Sequence, residues 1–135
     1  MGPALQQQGV VVQWQGPGAS ALADPVALEQ IVHNLLSNAL QALEQVAAAE
    51  RHLVLATTIQ GAAGVLTVRD SGPGIAPDAV RHLFEPFYST REGGLGLGLS
   101  LCETLASSMG GALTGGNAAT RGAEFKLMLP LAAAP

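Results

Sequence analysis

Leu28-Glu29-Gln30-Ile31-Val32-His33-Asn34-Leu35-Leu36-Ser37-Asn38-Ala39-Leu40-Gln41-Ala42-Leu43 carries two stripes that decide how the rest of the chain must be arranged. Leu28, Ile31, Val32, Leu35, Ala39, Ala42 and Leu43, continued by Val46, recur at spacings of three and four and form one apolar helical face. Asp24-Pro25 supplies the start, an aspartate as N-cap and a proline at the first helical position, so a helix is expected from about Pro25 to Ala47. At about 100° per residue, Gln30, Asn34, Asn38, Gln41 and Gln45 fall in a narrow amide stripe beside the apolar face. The apolar face needs a flat partner. The amide stripe either borders a pocket or is a solvated face.

The flat partner is read from the flanking sequence. Upstream, Gly9-Val10-Val11-Val12-Gln13-Trp14 is β-branched and aromatic and ends at Gly16-Pro17-Gly18, the pattern of a strand and its turn. Downstream, Leu53 to Ile59 and Val65 to Asp70 are β-prone runs joined by Gln60-Gly61-Ala62-Ala63-Gly64, a hairpin-length connection that predicts two antiparallel strands. After a glycine- and proline-rich stretch from Ser71 to Gly98, with one short helix expected at Pro77 to Phe84, Leu97, Leu101, Leu105 and Met109 recur every four residues. They mark a second long helix closed by Gly110-Gly111. Strands are expected again near Ala112 to Gly115 and Ala123 to Leu129. Helices interleaved with mostly antiparallel strands imply an α+β, two-layer sandwich with the helices on one face of a mixed sheet.

Bulk properties narrow the function classes. The 135 residues suit one domain, and 48% hydrophobic with 12% charged residues suits a packed core. A formal charge of -4 with six Lys and Arg lacks the basic footprint of a nucleic-acid binder. The single cysteine, Cys102, builds no disulfide framework and reads as a small buried hydrophobe. Met1-Gly2-Pro3 is not followed by a charged region and an apolar run, and no stretch approaches the roughly 20 apolar residues of a membrane span. A reducing cytoplasm is the expected setting, with no nucleic-acid or membrane contact by this chain and a monomer expected. His33, His52 and His82 lie apart and read as structural or surface residues.

Five features bear on chemistry. An amide carbonyl is a hard oxygen ligand, so Asn34 and Asn38, one turn apart, suit a Mg²⁺ ion shared with phosphates; the same spacing also describes a solvated helix face. Asp70 alternates in register with Leu66 and Val68, which places its carboxylate on the helix-covered side. Gly72-Pro73-Gly74 then lets the backbone turn closely against a ligand amine, or merely shapes a turn. Gly93-Gly94-Leu95-Gly96-Leu97-Gly98-Leu99 opens the second long helix, where free N–H groups favour an anion; a glycine hinge has the same composition. It is neither a P-loop nor a Rossmann fingerprint. Arg91 is the nearest cation available to a terminal phosphate. Phe84, Phe87 and Tyr88 form an aromatic cluster that either meets a partner or folds onto the core.

In this order the motifs resemble the catalytic ATP-binding domain of sensor histidine kinases, in the GHKL superfamily with its Bergerat fold. Leu28 to Leu43 is similar to the N box, Asp70-Ser71-Gly72-Pro73-Gly74-Ile75 to the G1 box and Leu83-Phe84-Glu85-Pro86-Phe87-Tyr88 to the F box. Gly94-Leu95-Gly96-Leu97-Gly98-Leu99 is similar to the G2 box, and Gly122-Ala123-Glu124-Phe125 to the last glycine motif. The resemblance spans Gly9 to Pro130 and is strongest to the nitrogen-regulation and dicarboxylate-sensing group. It implies ATP and Mg²⁺ as cofactors, with the nucleotide contacted by Asn34, Asn38, Gln41, Asp70, Gly72, Gly74, Ile75, Arg91, Gly94, Leu95, Gly96, Leu97, Gly98 and Leu99. Asp70 would take the adenine amine and Asn34 and Asn38 the metal; Asn34, Asn38 and Arg91 would serve phosphoryl transfer under a lid from about Ile75 to Gly93. Ala123 departs from the threonine of many relatives, and Gln41 from a basic residue found in some.

ATP-hydrolysing members of that superfamily usually carry a glutamate, the base that activates water, where this chain has Asn34. The resemblance therefore implies a kinase whose nucleophile is a histidine of a separate dimerisation and phosphoacceptor domain, with a response regulator downstream. No phosphoacceptor helix is present, so residues 1–135 read as one catalytic domain from the C-terminal part of a longer sensor, its parent cytoplasmic or anchored in the inner membrane. Such a chain is not expected to autophosphorylate alone. Two other readings are a nucleotide-responsive interaction module without catalysis and an anti-sigma-factor serine kinase.

Overall fold

The computed structural model describes residues 11–15, 25–85, 98–119 and 121–130, with 11–15 and Pro25 as backbone. In chain order the elements are β1 (Val11–Gln15), α1 (Pro25–Leu43), a 3-10 turn (Ala48–Glu50), β2 (His52–Gln60), β3 (Ala63–Asp70), α2 (Pro77–Val80), α3 (Gly98–Ser108), β4 (Ala112–Asn117) and β5 (Ala123–Pro130). The five strands form one sheet in the order β1-β2-β3-β5-β4, with β1 parallel to β2 and every other pairing antiparallel. This is the mixed, mostly antiparallel α+β arrangement expected from the sequence.

Alternation in the strands builds the core. Leu53 and Leu55 of β2, Val68 of β3 and Phe125, Leu127 and Leu129 of β5 are buried on one face of the sheet, aligned by the pairs Leu55↔Val68, Val68↔Phe125 and Leu66↔Leu127. Ile31, Leu35, Ala39 and Leu43 of α1 and Cys102 and Ala106 of α3 close the same cluster from above. Both long helices therefore lie on one side, and their packing brings the middle of α1 against the first turns of α3.

Helix ends explain where the pattern overran. The α-helix stops at Leu43 instead of Ala47, and Gln45 and Val46 donate to Ala42 O and Leu43 O at 3.2 Å in a tightened turn. Arg51 then donates from Nε to Val46 O at 3.0 Å and from a terminal nitrogen to Glu44 O at 3.5 Å, which satisfies two carbonyls of the turn that follows the helix. Gln45 is thus off the helix, and the amide stripe ends at Gln41. The short helix is α-helical only at Pro77–Val80 and continues as turns to Phe84. At the end of α3, Gly110 adopts φ +78° while Gly110 N–H and Gly111 N–H donate to Ser107 O and Ala106 O at 3.0 and 2.9 Å. That paired cap is the one the double glycine predicts. The expected N-cap Asp24 and the start of the first strand at Gly9 and Val10 lie outside the described residues.

Candidate functional site

Asp70 is the last residue of β3, opposite Leu53, so the alternation that buries Val68 also buries its carboxylate, leaving it 5% exposed. Two backbone donors hold one of its oxygens: Gly72 N–H at 2.8 Å and Ala123 N–H, from the start of β5, at 3.3 Å. Among the described residues no cation pairs with it, and no protein donor reaches its second oxygen, Oδ2. Burial pushes its carboxyl above the usual aspartate range, against the opposing pull of the two N–H groups. A buried carboxylate with one oxygen fixed and the other open is an acceptor prepared for a ligand donor.

Backbone of Gly72, Gly122 and Ala123 closes around Asp70, and two of the three approaches need glycine. A Cβ on Gly72 would stand 2.9 Å from Asp70 Oδ1 and 3.0 Å from Ala42 Cβ of α1. Gly122, at φ +86°, packs directly on the Asp70 carbonyl, where any Cβ would overlap it. At the other side Ser71 N–H donates to His52 O at 3.0 Å, while Ser71 Oγ accepts from His52 N–H at 2.8 Å and donates to Glu50 O at 2.6 Å. Beyond the turn, Ile75 N–H donates to Asn117 Oδ1 at 2.7 Å and Asn117 Nδ2 donates to Ile75 O at 2.9 Å. Ile75 itself packs against the core. Sequence reasoning missed Ser71 and Asn117 as contributors; the only local signal was that each is a turn-prone polar residue beside glycines.

The other end of the site lies between α1 and α3. Of the amide stripe, Asn34 and Asn38 are half-buried while Gln30 and Gln41 are exposed, so the two central amides border the helix packing and Gln41 lies at the rim. Asn34 Nδ2 donates to the Sγ of fully buried Cys102, one turn into α3, at 3.4 Å. The thiol is pushed up by burial, partly offset by that hydrogen bond. With Nδ2 so engaged, Oδ1 remains as the acceptor of Asn34. Gly98 opens α3, and a Cβ built there meets nothing within 4 Å; Leu99 packs on the core. Of the remaining sequence candidates, Arg91, Gly94, Leu95, Gly96 and Leu97 lie outside the described residues, as do Phe87 and Tyr88. Leu83 and Phe84 pack against the core, so of that aromatic cluster the one described member, Phe84, folds onto it.

The structure thus brings Asp70, Gly72, Gly74 and Ile75 into one loop, places Asn34 and Asn38 on the neighbouring helix, and sets Gly98 and Leu99 at the start of the helix packed beside Asn34. No group of three or more His, Cys, Asp and Glu suited to a metal occurs among the described residues. A metal here would take amide oxygens, water and ligand oxygens, which suits hydrated Mg²⁺. A separate surface cavity of about 360 Å³, bordered by Gln60, Ala63, Gly111 and Pro130, lies at the opposite end of the sheet, and among the described residues no charged side chain lines it.

Residues 23–133 match the family described as histidine kinase-, DNA gyrase B-, and HSP90-like ATPase. The C4-dicarboxylate transport sensor protein DctB of Pseudomonas aeruginosa is 44% identical over 109 residues, covering 79% of this chain and 18% of that protein. The sensor protein FixL of Bradyrhizobium diazoefficiens is 34% identical over 119 residues, covering 86% of this chain and 23% of that protein. The chain therefore spans less than a quarter of the length of these curated relatives. Among solved structures, full-length ShkA in complex with AMPPNP superposes with a TM-score of 0.81 at 36% identity over 98% of this chain and 28% of that one. The catalytic domain of the histidine kinase ThkA, in a nucleotide-free form, superposes at 0.82 over 96% of this chain and 84% of that one. Its 22% identity speaks to the fold alone.

Proposed function

Because this chain belongs to the histidine kinase-, DNA gyrase B- and HSP90-like ATPase family, we propose that it holds ATP·Mg²⁺ and presents the γ-phosphate to a histidine of a separate dimerisation and phosphoacceptor domain. The observation that carries the nucleotide half is the Asp70 carboxylate, buried with no cation beside it among the described residues, its Oδ1 held by Gly72 and Ala123 and its Oδ2 left by them for an exocyclic amine. The loop through Gly72, Gly74 and Ile75 forms the wall beside the base. Asn34 and Asn38 orient the phosphate end, with Gln41 at its rim. By the motif resemblance, Gly94, Gly96 and Gly98, with Leu95, Leu97 and Leu99, would line the triphosphate, and Arg91 would approach the γ-phosphate. Bound Mg²⁺ would neutralise phosphate charge, and Asn34 and Asn38 would hold it through amide oxygens.

The kinase half rests on Asn34. An amide is a poor general base, and with its Nδ2 donating to Cys102 it is held as an oriented polar group and activates no water. Catalysis by this chain is then positioning and charge neutralisation, with the nucleophile supplied from outside. ShkA in complex with AMPPNP and the sensor proteins among the relatives support this reading and the dicarboxylate-sensing subgroup. We read the chain as one catalytic domain from the C-terminal part of a longer sensor that signals to a response regulator, working on the cytoplasmic side whether or not its parent is membrane-anchored. Among the described residues no helix is long and apolar enough to cross a membrane.

Calorimetric titration of ATP·Mg²⁺ and of ADP into the wild-type chain, Asp70→Asn and Asn38→Ala tests the pocket. Wild-type binding that is lost in the first variant and loses its Mg²⁺ dependence in the second is expected. Absence of wild-type binding would leave a fold without its nucleotide function and would favour an interaction module.

A further inference from the structure

Asn117 and Ala123 face each other across the β4–β5 pair, the last rung before the connecting turn. That single rung touches the loop 70–75 at both ends. Ala123 N–H donates to Asp70 Oδ1 at 3.3 Å, and the Asn117 side chain both accepts from Ile75 N–H at 2.7 Å and donates to Ile75 O at 2.9 Å. A primary amide carries a donor and an acceptor side by side, so Asn117 returns both backbone hydrogen bonds of Ile75, as a residue on a neighbouring strand would. Gly74, at φ +83°, makes the turn that brings Ile75 to it, and a Cβ there would stand 2.8 Å from Asn117 Oδ1. The turn beyond the rung is itself closed by Ala118 N–H donating to Gly122 O at 2.8 Å, and Gly122 packs on the Asp70 carbonyl.

We propose that Asn117 is a positioning residue for the nucleotide base: by pairing with the backbone of Ile75 it fixes the far end of the loop whose near end its cross-strand partner Ala123 holds through Asp70. This role rests on the reading of Asp70 as the base-binding carboxylate. Asn117 touches no part of the nucleotide in this account. It acts through the loop, so its removal leaves Asp70, Asn34 and Asn38 in place and releases the wall formed by Gly74 and Ile75.

The test uses the 135-residue chain, with ADP as the probe and amide hydrogen exchange read by NMR. In the wild type without nucleotide, Ile75 N–H is expected to be protected. In Asn117→Ala that protection is lost while Gly72 N–H keeps its own, and ADP binds roughly tenfold more weakly, the scale of two lost hydrogen bonds. The extra affinity that Mg²⁺ confers on ATP is unchanged, because the phosphate end is untouched. Asn117→Asp is the second variant: it keeps an acceptor for Ile75 N–H but sets a carboxylate oxygen against Ile75 O, so it should weaken ADP at least as much as alanine. A merely structural Asn117 would lower the melting temperature and leave ADP affinity of the folded variants within twofold of wild type, which overturns the proposal, as does fast exchange of Ile75 N–H in the wild type. Failure of the wild type to bind ADP, with Ile75 protected, would remove the nucleotide reading and this role with it, and is told apart by the exchange data.

Discussion

Around Asp70 the near neighbours are backbone: the N–H groups of Gly72 and Ala123, and the close approach of Gly122 to the Asp70 carbonyl. Around Asn34 and Asn38 they are side chains on two helices, and the one hydrogen bond described there is a 3.4 Å contact to a thiol. The first region is built by sheet register and glycine geometry before any ligand arrives, so its acceptor is fixed and intolerant of added atoms. The second offers half-buried amides beside the first turn of α3, and in the proposed function phosphates and metal would supply their remaining partners. On the proposed reading, base recognition would be preformed and phosphate recognition would be completed by the ligand.

The contrast breaks most visibly at Gly122. Alanine there must adopt φ +86° and overlap the Asp70 carbonyl, so Gly122→Ala should cost roughly 3 kcal/mol or more in chemical denaturation. A loss under about 1 kcal/mol would mean that the base end is softer than its geometry implies.

Asp70→Asn should separate function from stability. The amide oxygen can still accept from Gly72 and Ala123, which puts the amide nitrogen where Oδ2 was, a donor facing a donor. Nucleotide affinity should fall on the order of 100-fold, the scale of a buried charged hydrogen bond. Ligand-free stability should not fall with it. Because burial raises the carboxyl's folded pKa above its unfolded value, the wild type is spared the penalty at low pH, where both states are protonated, and loses stability as pH rises through that window. The advantage of the asparagine variant should therefore grow with pH across the window and level off above it, in denaturation at several pH values. By the same titration, wild-type nucleotide affinity should weaken on acidification before free aspartates protonate. A variant less stable at neutral pH than wild type would contradict the assignment.

At the phosphate end effects should be smaller and dependent on metal. Asn38→Ala should remove about tenfold of ATP affinity in Mg²⁺ and leave ADP without Mg²⁺ nearly unchanged; equal losses in both would make Asn38 a packing residue. Cys102→Val keeps the volume and removes the acceptor for Asn34. It should cost about 1 kcal/mol or less of stability and shift ATP·Mg²⁺ affinity by only a few-fold.

The same contrast governs what the sequence could disclose. Period-2 and period-3.6 patterns were enough for the strands at Leu53 to Asp70, both long helices and the burial of Asp70, because each follows from residues near in the chain. The end of α1 was not legible, since it depends on Arg51 reaching back to Glu44 and Val46. Asn117 was invisible for a related reason: its two hydrogen bonds go to a residue 42 positions away, and nothing beside it in the sequence marks that partner. Asn34 and Asn38 were legible as a stripe, but their difference from Gln30 and Gln41 appears only once α3 is packed against α1.

Phosphotransfer tests most directly whether this chain holds ATP for a histidine supplied by a separate domain. The chain would be incubated with γ-labelled ATP and Mg²⁺, alone and with the separately produced dimerisation and phosphoacceptor segment of its parent sensor. Label appearing only on the added segment, as acid-labile phosphohistidine lost when Asp70→Asn replaces the wild type, is the predicted result. ATP binding without any transfer, or acid-stable phosphoserine on the partner, would contradict it.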